Sequence, residues 1–300
     1  MKAMILAAGL STRLRPYSLL RPKPLFPILN RPLLLLTIAR LKKAGFHTIV
    51  VNCHHLGEQV SGLLHGMDGI IIQPEEEILG TGGGLRRALP HFGDEPVLVT
   101  NGDIYHTVDY GEVYRNHCSN NGEVTMLMHD FPRFNTVAID KYSRIAGFDA
   151  GLEQETVRYA AFTGIHVIDP QVLQLLPDGG SSSIIDGYRT HLRQGKTIRA
   201  RWLAKGFWSD IGTPADYLQL HGDLLTGKAP PYEELKLSVD SGPFYMAPDS
   251  TMGQNVQMED WVCIGNNVRV GNNCLLRRVV AWDNVEIPPN SRLEDTIVTS

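Results

Sequence analysis

The sequence predicts an α/β protein: a Rossmann-like, doubly wound mixed sheet followed by a short left-handed parallel β-helix. Three observations predict it. Short apolar runs alternate with helical patterns across the first hundred or so residues, as βα units require. A loop of small residues follows the first apolar run. Beyond Pro248, apolar residues recur in a hexapeptide period.

The first strand is Met4-Ile5-Leu6, ending in Ala7, Ala8 and Gly9, where the backbone can pass close to something bulky. Ser11, Thr12 and Arg13 come next, and Lys23 follows in a segment punctuated by Pro16, Pro22, Pro24 and Pro27. A small-residue loop with basic side chains at the end of a parallel strand describes a phosphate cradle. Asn30 then predicts a helix cap, Pro32 a first-turn residue and Gly45 a stop after Lys42-Lys43. Thr48 to Val51 reads as a second strand ending in Asn52-Cys53-His54-His55, with a short helix around Glu58 to Leu64. Adjacent histidines on a strand point opposite ways and chelate poorly, so His54 and His55 read as structural.

Ile70-Ile71-Ile72-Gln73 is a third strand, leading through Pro74-Glu75-Glu76-Glu77 to Gly80-Thr81-Gly82-Gly83-Gly84. Glycines at a helix start are costly. They predict a backbone kept bare for a planar ring or a phosphate. The fourth strand, Val97 to Thr100, ends in Asn101-Gly102-Asp103, an acid where parallel sheets place their chemistry. From Val124 to Val167 the pattern is β, with strands at Val124–Met128, Val137–Asp140 and Phe162–Val167 and a turn over Asp149–Glu155. Helices are expected over Pro170–Leu176 and Ile184–Gln194. A second acidic signal is Trp208-Ser209-Asp210-Ile211-Gly212-Thr213-Pro214, where Thr213 caps a helix and Pro214 opens it.

Three segments are therefore expected: residues 1–227 as the α/β domain, 228–249 as a linker and 250–300 as the β-helix. In the last, Met252, Met258, Ile264, Val270 and Leu276 form one apolar series, and Val256, Val262, Val268 and Cys274 a second. Proteins of this repeat often transfer acyl groups with a histidine base, but none follows His221. The tail is expected to serve packing or homo-oligomerisation.

Net charge is −4, from 28 Lys+Arg and 32 Asp+Glu, and no basic block stands out. That argues against nucleic acid and allows small anions held by individual side chains. Leu33 to Leu36 is the densest leucine run and falls far short of a membrane span. The N-terminal apolar segment is too short for a signal peptide, so a cytoplasmic place is expected. Four scattered cysteines read as small buried hydrophobes without disulfides.

Arg13 and Lys23 can neutralise the charge of a triphosphate. Asp103 and Asp210, meeting over phosphate oxygens, offer what Mg²⁺ prefers. Together these groups suit direct nucleotidyl transfer, an in-line attack on an α-phosphorus.

Leu6-Ala7-Ala8-Gly9-Leu10-Ser11-Thr12-Arg13-Leu14-Arg15-Pro16 with Lys23-Pro24-Leu25 resembles the signature of the sugar-1-phosphate nucleotidyltransferases, the NDP-sugar pyrophosphorylases. Ser11 stands where that family's second glycine usually falls. Asn101-Gly102-Asp103 and Asp210 to Pro214 resemble its metal-binding segments, and the likeness runs to about residue 227. The motifs are most similar to N-acetylmuramate-1-phosphate uridylyltransferases and to mannose- and heptose-1-phosphate guanylyltransferases. The resemblance implies a GT-A-like nucleotidyltransferase fold. It also implies a Mg²⁺-assisted condensation of a nucleoside triphosphate, UTP or GTP, with a sugar 1-phosphate.

By the same resemblance, Leu6, Ala7, Ala8, Gly9, Ser11, Thr12, Gln73, Gly80, Thr81 and Gly82 would bind the nucleotide. Arg13, Lys23 and Asp103 would join them there. Arg13, Lys23, Asp103 and Asp210 would be catalytic, with Asp103 and Asp210 on the metal. Thr163 and Gly164 would contact the sugar, with Asn135, although the family's usual E-K-P motif is missing around Ile145 to Glu155.

Two rivals are weighed on residues, and the enzyme is favoured over both. A catalytically silent regulator on the same fold would be expected to have lost phosphate or metal residues, and Arg13, Lys23, Asp103 and Asp210 all remain. A dinucleotide oxidoreductase would want G-x-G-x-x-G after the first strand and an acid closing the second. Here Gly9 leads into Leu10-Ser11-Thr12-Arg13, and the second strand closes on Asn52.

Overall fold

A computed structural model describes residues 1–120, 122–148, 158–203, 206–235 and 242–299. The turn expected over Asp149–Glu155 lies outside the described residues. The chain divides into two compact units. The first holds residues 1–10, 37–102 and 108–206, and the second holds 11–36, 103–107 and 207–300.

The first unit is built on a nine-stranded mixed sheet. Lys2–Leu6 lies between Val97–Asn101 and Thr48–Cys53, parallel to both, and Ile70–Pro74 extends the parallel run. Their middle residues Ala3, Met4, Ile49, Val50, Leu98 and Val99 are fully buried, as strands covered on both faces must be. The long strand Arg158–Ile168 runs antiparallel to Val97–Asn101. Val124–His129 pairs with it, and Arg199–Trp202 continues beyond Val124–His129. Register brings the carboxyl ends level: Leu6 faces Asn52 on one side and Asn101 on the other, and Asn52 faces Gln73. The loops that follow all leave from one edge.

In the second unit, residues 11–36 form three single-turn 3-10 helices, Thr12–Leu14, Tyr17–Leu19 and Lys23–Leu25. A tight hairpin pairs Pro27–Ile28 with Arg31–Pro32. Its turn residues Leu29 and Asn30 both have positive φ, 46° and 66°, as a type I′ turn requires. Asn30 is therefore a turn residue and not a helix cap. Its Nδ2 donates to the Ile264 carbonyl, and the helix begins later, at Leu33. Ile104–His106 pairs antiparallel with Trp208–Asp210, which sets Asp210 opposite Ile104. Thr213 accepts from the Asp216 N–H and caps the helix Pro214–Leu225, as its sequence predicts.

The C-terminal strands stack in two parallel sheets. Phe244–Met246, Gln257–Ile264, Leu275–Ala281 and Arg292–Val298 form one. Thr251–Met252, Arg269–Val270 and Glu286–Ile287 form the other. Both apolar series meet in one core with Val279, Val285 and Ile287. Left-handed asparagines stack between coils: Asn255 Nδ2 donates to Asn273 Oδ1, and Asn273 Nδ2 to Asn290 Oδ1.

The stretch expected as a linker is partly built into this unit. Phe244–Met246 is the first rung of the stack. Tyr232 stacks on Tyr105 at 4.1 Å between ring centres and exchanges hydrogen bonds with the backbone of His106. Aromatic burial of this kind outweighs what the proline-rich composition of the stretch suggests. The cysteines are free, and three are buried, but Cys118 is exposed. No helix among the described residues is long and apolar enough to cross a membrane.

Candidate active site

Four of the charged residues singled out above converge in the second unit. Lys23 opens a 3-10 turn behind Pro22, whose extended conformation delivers the lysine into the interior. Its side chain is only 4% exposed, and Nζ donates to Asp103 Oδ2 at 2.8 Å and to Asp210 Oδ1 at 3.1 Å. Two carboxylate partners hold the buried lysine head group in one place. The aspartates keep solvent contact, with side chains 34% and 17% exposed. The Ile211 N–H donates to the Asp103 carbonyl, tying the two acidic loops together.

Gly212 lets Arg13 approach this group. A Cβ there would lie 2.6 Å from Asp210 Oδ2 and 3.2 Å from Arg13 Nη1. Arg13 is exposed, and the Ser11 before it has φ 51°, the left-handed region that disfavours side chains with a Cβ. A glycine would adopt this conformation freely, and Ser11 adopts it under strain. Thr12 is exposed at the start of the same turn. Gly212 was not singled out from the sequence. Its signal is a glycine two residues beyond an acid that closes a strand.

The first unit carries the other predicted nucleotide residues. Leu6 ends the central strand, and its carbonyl accepts from the Gly102 N–H. The Ala7 N–H donates to Asn52 Oδ1 at 2.8 Å. Gly9 is exposed, and a Cβ on it would meet nothing within 4 Å. Gln73 is buried, and its Nε2 donates to the Gly84 carbonyl at 3.0 Å. Asn52 Nδ2 in turn donates to Glu75 Oε1 at 2.8 Å.

The bare backbone of the glycine-rich helix, Gly80–Ala88, also lies against a segment of the chain itself. A Cβ on Gly82 would come 2.7 Å from Ser182 Oγ and 2.8 Å from the carbonyl carbon of Ser183. A Cβ on Gly83 would come 2.6 Å from the Gly180 carbonyl oxygen. The Gly82 N–H donates to the Ser182 carbonyl, and Thr81 Oγ1 accepts from the Ile184 N–H. The glycines admit the chain's own Gly180–Ser183 segment. A Cβ on Gly84 would meet Asn52 Nδ2 at 2.9 Å and Glu75 Oε1 at 3.0 Å.

Of the predicted sugar residues, Thr163 is buried and donates to the Leu127 carbonyl while accepting from the Ile165 N–H. It lies where the pairing register shifts between Phe162 and His166. Gly164 has φ 81°, and a Cβ there would meet Asn101 Nδ2 at 2.6 Å. Asn135 accepts from the Phe131 N–H and donates to Asp130, closing its own loop. Thr163 and Gly164 adjoin each other in the chain, and Asn135 is engaged elsewhere, with Asp130 and Phe131.

Two of the histidines are held by backbone groups, and a third is fully buried. His54 Nδ1 bonds the Glu75 carbonyl. His221 lies between the Leu29 N–H and the Tyr217 carbonyl, and burial pushes it down to about 4. Burial alone pushes His166 down to about 3. Among the described residues no three His, Cys, Asp or Glu side chains could hold a metal by themselves.

Comparison with known proteins identifies the family. The family model described as nucleotidyl transferase matches residues 2–227. The chain is 30% identical over 221 residues to the N-acetylmuramate alpha-1-phosphate uridylyltransferase of Neisseria meningitidis serogroup B, covering 71% of this chain and 94% of that one. It is 25% identical over 301 residues to the mannose-1-phosphate guanylyltransferase of Mycobacterium tuberculosis, covering 97% and 82%. Among solved structures, HddC from Yersinia pseudotuberculosis superposes with a TM-score of 0.60 at 23% identity, covering 73% of this chain and 97% of that one. This likeness extends to the fold, a mixed Rossmann-like nucleotidyltransferase sheet.

Proposed function

This chain belongs to the nucleotidyl transferase family, as a sugar-1-phosphate nucleotidyltransferase, and from that premise we propose that it condenses UTP or GTP with a sugar 1-phosphate. The products are an NDP-sugar and pyrophosphate. The observation that carries this reading is the convergence of Lys23, Asp103 and Asp210, with Arg13 beside Gly212.

Lys23 and Arg13 supply fixed positive charge for a triphosphate whose charge redistributes as the α-phosphorus is displaced. A phosphate oxygen of the sugar 1-phosphate attacks that phosphorus in line and pyrophosphate leaves. Orientation and charge stabilisation supply most of what such a transfer needs.

Asp103 and Asp210 fit Mg²⁺. Each engages Lys23 through one of its two oxygens, and both oxygens lie within 3.1 Å of a single cationic atom. Mg²⁺ is commonly held by one or two carboxylates together with substrate phosphates and water, which matches a donor set of two. When bound it would neutralise phosphate charge.

Ala7 to Gly9, Gln73 and Gly80 to Gly82 are the segments proposed to receive base and ribose. Sugar contact is assigned to the Thr163-Gly164 backbone, because the Thr163 hydroxyl is already engaged. The stacked C-terminal coils are read as a left-handed parallel β-helix that serves self-association, in a cytoplasmic enzyme.

The test is a matrix of nucleoside triphosphates and sugar 1-phosphates with Mg²⁺, followed by pyrophosphate release and product mass. Turnover of UTP or GTP with one or a few sugar phosphates is expected. Silence across the matrix with nucleotide still bound would overturn the reading in favour of a regulatory role.

A further inference from the structure

We infer that Glu75 and Asn52 are positioning residues for the nucleotide: one buried carboxylate sets two nucleotide segments and decides which atom of Gln73 is offered to the base. This rests on the nucleotide reading above and deepens it.

Glu75 is 5% exposed. Its Oε1 accepts from Asn52 Nδ2 at 2.8 Å and from Gln73 Nε2 at 3.4 Å, and its Oε2 accepts from the Leu79 N–H at 3.3 Å. Among the described residues no Lys or Arg forms an ion pair with it. A buried carboxylate held only by neutral donors is costly, and stability alone gives no reason to keep it. Its reach does. Through Asn52 Oδ1 it fixes the Ala7 N–H, the first amide beyond the central strand. Through the Leu79 N–H it fixes the residue just before Gly80. One side chain thus anchors the start of both segments.

The same group determines how Gln73 presents its amide. Nε2 lies between two acceptors, the Gly84 carbonyl and Glu75 Oε1, so the flipped amide would set oxygen against oxygen. Gln73 Oε1 is left buried with no donor. An unmet buried acceptor favours a ligand that brings an N–H to it. Uracil and guanine carry a ring N–H on their pairing edge, whereas adenine and cytosine present a ring lone pair there. The network therefore selects the class of base as well as holding the loops.

Glu75→Gln is nearly isosteric but leaves three donors facing one acceptor oxygen. It should raise the calorimetric Kd and the KM for UTP or GTP about tenfold, the effect of one unmet buried group. The KM for the sugar 1-phosphate should stay within about twofold. Discrimination against ATP and CTP should narrow. Adding Asn52→Asp in the same chain restores acceptors for the Ala7 N–H and for the new carboxamide, and nucleotide affinity should return towards wild type. Thermal melting verifies that each variant is folded. Glu75→Asp, which keeps the charge and loses the reach, serves the same comparison if Glu75→Gln does not fold.

A folded Glu75→Gln with unchanged nucleotide affinity overturns the inference, as does an equal rise for both substrates or failure of the second change to rescue. In those cases wild-type turnover stands. Failure of the wild type to bind either UTP or GTP overturns this inference and the functional reading together.

Discussion

Nζ of Lys23 lies 2.8 Å from Oδ2 of Asp103, with the lysine side chain almost wholly buried and the aspartate one third exposed. That asymmetry separates folding from function. Asp103→Asn preserves volume and leaves Lys23 its contact with Asp210, so stability should fall by only about 1 kcal/mol. Turnover should fall about 10²–10³-fold, as for loss of one preorganised electrostatic group. Lys23→Met strands two carboxylates and should cost about 2–3 kcal/mol, below the full cost of breaking a buried pair because both acids reach solvent. Steady-state rates and denaturant midpoints on the same preparations check both.

Gly82→Ala should destabilise by about 1–3 kcal/mol, because its Cβ would press on Ser182 and Ser183. The gain in helix propensity, about 1 kcal/mol, only partly offsets this. Gly62 is the control. It is exposed in the helix Gly57–Leu64, with nothing within 4 Å of an added Cβ, so Gly62→Ala should stabilise by about 0.5–1 kcal/mol. Opposite signs in the two thermal shifts are the expected outcome.

Acid stability should reflect His166 and His221. Both lie well below their ordinary 6.5 when folded, at about 3 and about 4, because burial penalises the charged ring. The unfolded chain therefore takes up these protons first as pH falls. Stability is fully present above pH 6.5 and is lost progressively below it, until the folded rings protonate as well. Each ring contributes a slope of about 1.4 kcal/mol per pH unit within its window. His166→Leu should remove one such increment from the dependence of unfolding free energy measured between pH 6 and 4.5.

Ser11→Gly should stabilise by about 0.5–1 kcal/mol, since relief of the left-handed conformation at φ 51° exceeds the added chain entropy. Ser11 makes no side-chain capping bond. Nucleotide affinity should be retained. A loss of stability in chemical denaturation would show that the Ser11 hydroxyl has a role of its own.

Much of the fold was legible because its signals are local. The four parallel strands stand as uninterrupted apolar runs, and Thr213-Pro214 places a helix start within one turn. Asn30 misled because asparagine suits both a helix cap and a left-handed turn. The choice went to the hairpin, where Leu29 and Asn30 meet His221 and Ile264 from distant parts of the chain. The stretch expected as a linker shows the same limit of local signals. Its prolines describe the local backbone, while Tyr232 finds Tyr105 across 127 positions.

By itself the sequence determined the alternation of strands and helices, the stacked apolar series of the C-terminal coils, and the set Arg13, Lys23, Asp103 and Asp210. Periodicity and charge-bearing signatures are properties of short windows. Only the tertiary structure decided that Lys23 bridges both aspartates, that Gly212 makes room for Arg13, and that Glu75 bonds both Asn52 and Gln73. It also decided that the glycines of the third helix admit Gly180–Ser183 from a segment 103 positions away in the Thr81–Ile184 contact. Close approach between remote segments depends on which backbones the core brings together, and no stretch of local sequence carries that information.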